Sequence, residues 1–235
     1  MKSEIARGMK DAIPICAGYL AVGFTFGMAA VSANITIGGA TLISLTNLTS
    51  AGQFAGLTVI AAAAPYFEMA LTQLIINLRY ALMALSLSQK LEPSVTRAQR
   101  CVIAFGITDE AFALVSTQEG KVGKFYIYGV MSVCIASWTC GTFFGAAASG
   151  ALPPAISSAL GIAIYGMFLA IIIPPARKEK SIAAVILIAV VLSSALYWLP
   201  GLKEISPGFA IINCTVLASC AGALIHPIRE EERDS

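Results

Sequence analysis

Apolar positions run along this chain in blocks long enough to cross a bilayer, and polar positions collect in the short gaps between them. Eight apolar segments are apparent: 12–32, 39–64, 66–89, 101–118, 124–148, 154–175, 181–199 and 208–226. A helix needs about 20 apolar residues to span a membrane. Nothing ionisable except tyrosine and cysteine lies between Asp11 and Glu68, or between Lys124 and Arg177. Each of those blocks has room for two crossings. No stretch shows the period-2 alternation that a membrane barrel requires, so the pattern predicts an all-α polytopic membrane bundle.

The gaps carry a topological signal. Lys90, Arg97 and Arg100 lie in linker 90–100, Lys121 and Lys124 in 119–124, and Arg177, Lys178 and Lys180 in 176–180, whereas 32–39 and 148–154 hold no basic residue. Basic linkers favour the cytoplasm. If all eight segments crossed fully, linkers 90–100 and 119–124 would fall on opposite sides. The conflict disappears if 39–64 and 101–118 are not simple crossings. The N-terminus, the three basic linkers and the C-terminal tail with Arg229 are then all cytoplasmic. Both segments are odd on other grounds: the first contains "TSAGQFAG" (49–56), and the second is short and carries Asp109 and Glu110 in "GITDEAFAL" (106–114). Non-helical backbone at membrane depth is tolerated only where protein covers it or where it lines a watery cavity. The expected architecture is about six full spans plus two broken or re-entrant segments, 39–64 and 101–118, in a single transmembrane transport domain over 1–235.

"GFTFGMAA" (23–30) and "GTFFGAAA" (141–148) match at five of eight positions. A weak internal duplication, with halves of about 1–119 and 120–235, would account for this. So would close helix packing, since each run holds a G-x-x-x-G, as does the pair Gly52 and Gly56.

Composition sharpens the class. Hydrophobic residues make up 57% of the 235 and charged residues 12%, against about 25% charged in soluble domains. The net charge of +2 is small and scattered, which gives no footing for nucleic acid. Lys2, Arg7 and Lys10 before an apolar run resemble a signal peptide, but the run exceeds the usual ~7–15 residues and is read as an uncleaved first span. The six cysteines form no C-x-x-C pair and mostly sit inside predicted spans, as small apolar residues do. His226, the only histidine, lies at the end of the last segment, so neither a metal site nor another cofactor is expected.

The chemistry concentrates in "YFEMALTQLIINLRYALMALSLS" (66–88), which follows Pro65. At 100° per residue, Glu68, Thr72 and Arg79 share one side, continued by Tyr80, Gln73 and Asn77. The opposite arc is apolar and suited to lipid. Arg79 sits about 20 Å along the axis, too deep for easy snorkelling, and an arginine there wants a carboxylate. Asp109 and Glu110 are the nearest in sequence. Adjacent on a helix, they point about 100° apart and cannot share a proton face to face. One could pair with Arg79 while the other, poorly solvated, loads and unloads protons. The alternative is an ion pair that only holds helices together. At the break, a half-helix beginning near Ser50, Gly52 and Gln53 would offer N–H groups to an anion, with Thr46, Asn47 and Thr49 lining the same cavity. Glycine and serine there would equally allow close packing. The candidate substrate-binding residues are therefore Ser50, Gly52, Gln53, Asn77, Arg79 and Tyr80, and the candidate proton-coupling residues are Asp109 and Glu110.

"DAIPICAGYLAVGFTFGMAA", "SAGQFAG", "NLRY" and "GITDEAFAL", in this order and at this spacing, resemble the AzlC/YgaZ family of branched-chain amino acid transport proteins. "GTFFGA" and "ALGIAIYGMFLAIIIP" (159–174) extend the similarity over nearly the whole chain. The resemblance implies an exporter of valine, leucine and similar amino acids in a bacterial inner membrane. It also implies a small hydrophobic membrane partner of the AzlD/YgaH type. Where the family often reads N/D-x-R-H, this chain has Tyr80. A titrating histidine is therefore missing, which leaves the acids as the proton candidates. No H-E-x-x-H is present, and an enzyme is not expected. Without a P-loop, energy must come from an ion gradient or the substrate's own. A non-transporting scaffold or assembly subunit is the alternative.

Overall fold

The computed structural model describes residues 2–151, 166, 169, 172–202 and 204–225. Nine helices of eight residues or more are formed among them: α1 (Lys2–Ser32), α2 (Ile37–Thr46), α3 (Ala51–Ala61), α4 (Tyr66–Lys90), α5 (Arg97–Phe105), α6 (Asp109–Ser116), α7 (Lys124–Ala148), α8 (Lys180–Trp198) and α9 (Pro207–Ile225). Five of these are long and apolar enough to cross a membrane: α1, α4, α7, α8 and α9. The chain is a polytopic helical membrane protein. The predicted span 154–175 falls mostly outside the described residues, as do His226 and the tail with Arg229.

Contacts divide the fold into two compact units. One contains α1, α2, the start of α3 through Phe54, α4 from Asn77 onward, α5, α6 and α7. The other contains α3 from Ala55, α4 through Ile76, α8 and α9.

In the first unit α1 packs chiefly on α7, and the glycines explain how. The backbone of Gly23 lies so close to α7 that a Cβ there would stand 2.6 Å from the Trp138 carbonyl oxygen, and one on Gly141 would stand 2.6 Å from that of Leu20. Gly27 lies against Thr142 and Ala146, and Gly145 against Phe24. The paired G-x-x-x-G runs thus face each other. In lipid there is little hydrophobic drive between helices, so such backbone-to-backbone contact supplies the dispersion that joins them. Near the helix starts, Gly8 meets Tyr126 and Gly129 meets Ile5. Starts lie against starts and ends against ends, so α1 and α7 run parallel and begin at the same face.

The linkers tell the rest of the topology. Val122 N–H donates to the Lys90 carbonyl (2.9 Å) and Glu92 N–H to the Val122 carbonyl (3.1 Å), a single parallel bridge between Leu91 and Val122. Lys90 Nζ donates to the Ser116 carbonyl at 2.6 Å. The linker after α4 therefore lies at the face where α7 begins, and the α5–α6 segment leaves and returns at that face. With α1 and α4 each crossing once, parity makes the stretch 33–65 begin and end on one face as well. Both segments singled out in the sequence are broken, each into two short helices.

The breaks have local causes. α2 ends at Asn47, whose N–H bonds the Ile43 carbonyl, and Ser50 takes a positive φ of 43° before α3 starts. α5 ends at Gly106 and α6 begins after Thr108, whose hydroxyl accepts from Ala111 N–H. Gly106 is pressed under α7; a Cβ would stand 2.8 Å from Met131 Cγ, so a larger residue at this corner would have to displace the Met131 side chain.

Candidate functional site

The site assembles in the first unit, where α6 meets α4 and α1. Thr108 is the N-cap of α6, and Asp109 and Glu110 fill its first turn. Carboxylates are favoured there because unpaired N–H groups and the helix dipole lie behind them. "TDEA" is thus also a helix-start signature, and that local role was legible in the sequence but was not drawn from it.

The two acids point to different partners. Asp109 Oδ2 lies 2.8 Å from Arg79 Nη1, with 36% and 41% of the respective side chains exposed. That exposure decides a point: the pair is not sealed between helices but opens to one side. The guanidinium also lies over the Tyr80 ring, 5.0 Å from its centroid, and Nη2 donates to Tyr80 Oη at 3.3 Å. Arg79 Nε is buried with no hydrogen-bond partner among the described residues. Glu110 turns the other way and is not free. Its Oε2 lies 2.5 Å from the hydroxyl of Tyr19 on α1, which also lies 2.5 Å from Thr108 Oγ1. Sequence reasoning missed Tyr19. Its only signal was a phenol inside an apolar run, and a buried tyrosine hydroxyl usually finds a partner.

The first break is built differently from expectation. Gly52 and Gln53 are buried, and Gly52 N–H donates to the Thr49 carbonyl at 3.0 Å. That donor is turned inward rather than offered to an anion. Gln53 Nε2 donates to Ser44 Oγ (3.1 Å), which pairs with Thr142 Oγ1 on α7 at 2.7 Å. Ser44 and Thr142 are fully buried, so this trio fastens the broken α2–α3 element onto α7. Gln53 Oε1 is left without a partner among the described residues. Ser50 occupies the turn itself and is half-buried; Asn77 is half-buried one turn before Tyr80. Thr46 bonds back to the Leu42 carbonyl of its own helix, and Thr49 to Asn47 Oδ1. Of the candidate residues, the structure joins Arg79, Tyr80, Asp109 and Glu110 into one cluster, while Gln53 belongs to the separate Ser44–Thr142 group.

Among the described residues no group of histidine, cysteine, aspartate and glutamate is arranged to hold a metal. The cluster's charged members are Arg79, Asp109 and Glu110.

Comparison with known proteins decides the lineage. The AzlC protein family matches residues 14–152, more than half of the chain, including both breaks and the whole cluster. The chain belongs to the AzlC family. Among AzlC-related proteins, the Escherichia coli protein named "Inner membrane protein YgaZ" is 27% identical over 183 residues, covering 75% of each chain. A membrane protein of Archaeoglobus fulgidus is 29% identical over 228 residues, 94% of this chain and 92% of its own. A Helicobacter pylori membrane protein is 30% identical over 149 residues, 60% of this chain and 64% of its own. No solved structure matches. AzlC membership and the five apolar helices make this a membrane-embedded protein of a transport-type family.

Proposed function

We propose that this chain is the large subunit of a secondary transporter that exports branched-chain amino acids, valine, leucine and their like, across the bacterial inner membrane. Protons drive it, and a small hydrophobic AzlD/YgaH-type subunit works beside it. The N-terminus and the C-terminus face the cytoplasm, as the basic linkers at the starting face of α1 and α7 favour.

The observation that carries this is the Arg79–Asp109 ion pair at 2.8 Å, midway along a spanning helix and partly open. Ionisable groups at that depth are expensive and mark substrate or ion pathways. A zwitterion needs one cationic and one anionic contact. Arg79, with its Nε unpartnered, supplies the first in place of the α3 N-terminus, whose Gly52 donor is spent on Thr49. The two acids supply the second. Branched-chain selectivity is taken from the family resemblance.

The test is leucine and valine flux in proteoliposomes holding both subunits, with and without an imposed pH gradient. Flux driven by the gradient and abolished in Arg79→Ala supports the carrier. Flux surviving Arg79→Ala and Asp109→Asn together would replace it with a scaffold subunit.

A further inference from the structure

We infer that the exposed face of α9 docks a second copy of this chain, α9 against α9, with the two Asn213 amides paired across the contact. The inference is independent of what the chain transports.

α9 runs Pro207–Ile225, about 28 Å at 1.5 Å per residue, close to the hydrocarbon thickness of roughly 30 Å. Its buried residues are Gly208, Ala218 and Gly222. Gly208 lies against Glu68 and Thr72, and Gly222 against Val185 of α8. The other side carries Phe209, Asn213, Val216, Cys220 and Ala223, all exposed. Their spacing alternates four and three, so at 100° per residue they fall within about 80° of one another. Asn213 stands about 140–180° from the three buried residues. This is the a/d seam of a helix pair, with Asn213 and Cys220 in one register and Phe209, Val216 and Ala223 in the other. Most of the seam is apolar and would sit equally well in lipid. Asn213 would not.

Asn213 lies six residues past Pro207, about 9 Å along the axis, and its amide bonds to none of the described residues. A carboxamide facing lipid leaves two N–H donors and a carbonyl acceptor with nothing to meet, which hydrocarbon penalises heavily. The side chain is too short to reach the interface as lysine or arginine does. The amide therefore needs a polar group on a neighbouring helix at the same depth, and every copy of this chain carries one. Copies inserted the same way bring their α9 helices together in parallel. A twofold axis along the membrane normal then sets equal depths opposite each other. An amide both donates and accepts, so the two Asn213 side chains satisfy one another, each N–H meeting the other's carbonyl. One heptad farther on, Cys220 faces its own counterpart. A partner of unlike sequence would need a polar group placed to match, whereas symmetry supplies it here.

The test uses the full chain in the membranes of expressing cells, alone and with the small hydrophobic subunit, with Cys220 as its only cysteine. Mild oxidation with iodine should join two copies through Cys220, seen as a dimer on a non-reducing gel. A cysteine-free form carrying Thr215→Cys, exposed but about 140° round the helix from Cys220, should stay monomeric. In liposomes, energy transfer between N-terminally labelled copies reads self-association as the protein is diluted in lipid. Asn213→Leu should weaken it by roughly three- to thirtyfold, and Asn213→Gln, which keeps the amide, should retain most of it. No dimer through Cys220, equal crosslinking of the Thr215→Cys form, or self-association unmoved in Asn213→Leu overturns the proposal. So does crosslinking of Cys220 to the small subunit in place of a second copy.

Discussion

Gly141→Ala adds one methyl group where α7 touches α1, and the consequence can be worked from the geometry. The new Cβ would stand 2.6 Å from the Leu20 carbonyl oxygen and 3.0 Å from Leu20 Cα. Ordinary carbon–oxygen contact needs about 3.4 Å, so the helices must part by roughly 0.8 Å, enough to forfeit a quarter to a half of each contact's dispersion energy near the site. Backbone cannot swing aside as a long side chain would. Gly23, Gly27 and Gly145 share the same seam, so the loss spreads along the pair. Overpacking of this kind costs about 1–3 kcal/mol, or roughly five- to 150-fold in the folded-to-unfolded ratio. Unfolding by SDS in mixed micelles, followed by circular dichroism, measures it. Gly18→Ala is the control: it lies on α1, the helix across the seam, and a Cβ there meets nothing within 4 Å, so stability should hold or rise slightly as glycine's entropy cost is removed. Equal stability of Gly141→Ala and Gly18→Ala would refute the seam.

Three further outcomes follow from particular contacts. In a cysteine-free background, Ser94→Cys and Lys121→Cys should label from the same side of the membrane and Asn34→Cys from the other; labelling of 94 and 121 from opposite sides would sink the re-entrant α5–α6 topology. Arg79→Gln and Asp109→Asn should each cut flux by roughly tenfold or more. Their double-mutant coupling in stability should be only about 1 kcal/mol, since the pair is partly exposed, and a coupling several times larger would mean a sealed structural brace. Glu68, 3% exposed, accepts from Ser206 Oγ at 2.6 Å and from Gly208 N–H at 2.8 Å. Glu68→Ala should cost about 1–3 kcal/mol by stranding a buried donor, and Glu68→Gln less. Hydrogen exchange at 206–210 would read the difference, and equal protection in both variants would contradict it.

Much of the fold was legible because charge is scarce in this chain. With few basic linkers, the clash between 90–100 and 119–124 stood out, and the structure joins those two linkers by hydrogen bonds. The G-x-x-x-G runs were legible too, as small faces, although the sequence could not say that they meet each other or run parallel. The site was only half visible. Arg79 announced itself as a cation in an apolar helix, and the acids as its company. Tyr19 and Thr142 did not, because on a helix buried in lipid and protein a single hydroxyl changes no periodicity. At the other break the sequence predicts unpaired N–H groups near Gly52 but not the Thr49 carbonyl that meets the Gly52 N–H. Glu68 was placed on the polar side of α4, yet its attachment to the start of α9 depends on a partner 140 residues away in the sequence.

The parallel course of α1 and α7 bears on direction. Carriers built from inverted repeats can interchange their inward-open and outward-open forms by letting equivalent helices trade places about an axis in the membrane plane. Such an axis reverses a helix end for end, so it cannot relate α1 to α7. For this pair the two sides of the membrane are inequivalent from the outset. In the proposed carrier, no symmetry of this helix pair would make the inward-open and outward-open forms equal in energy.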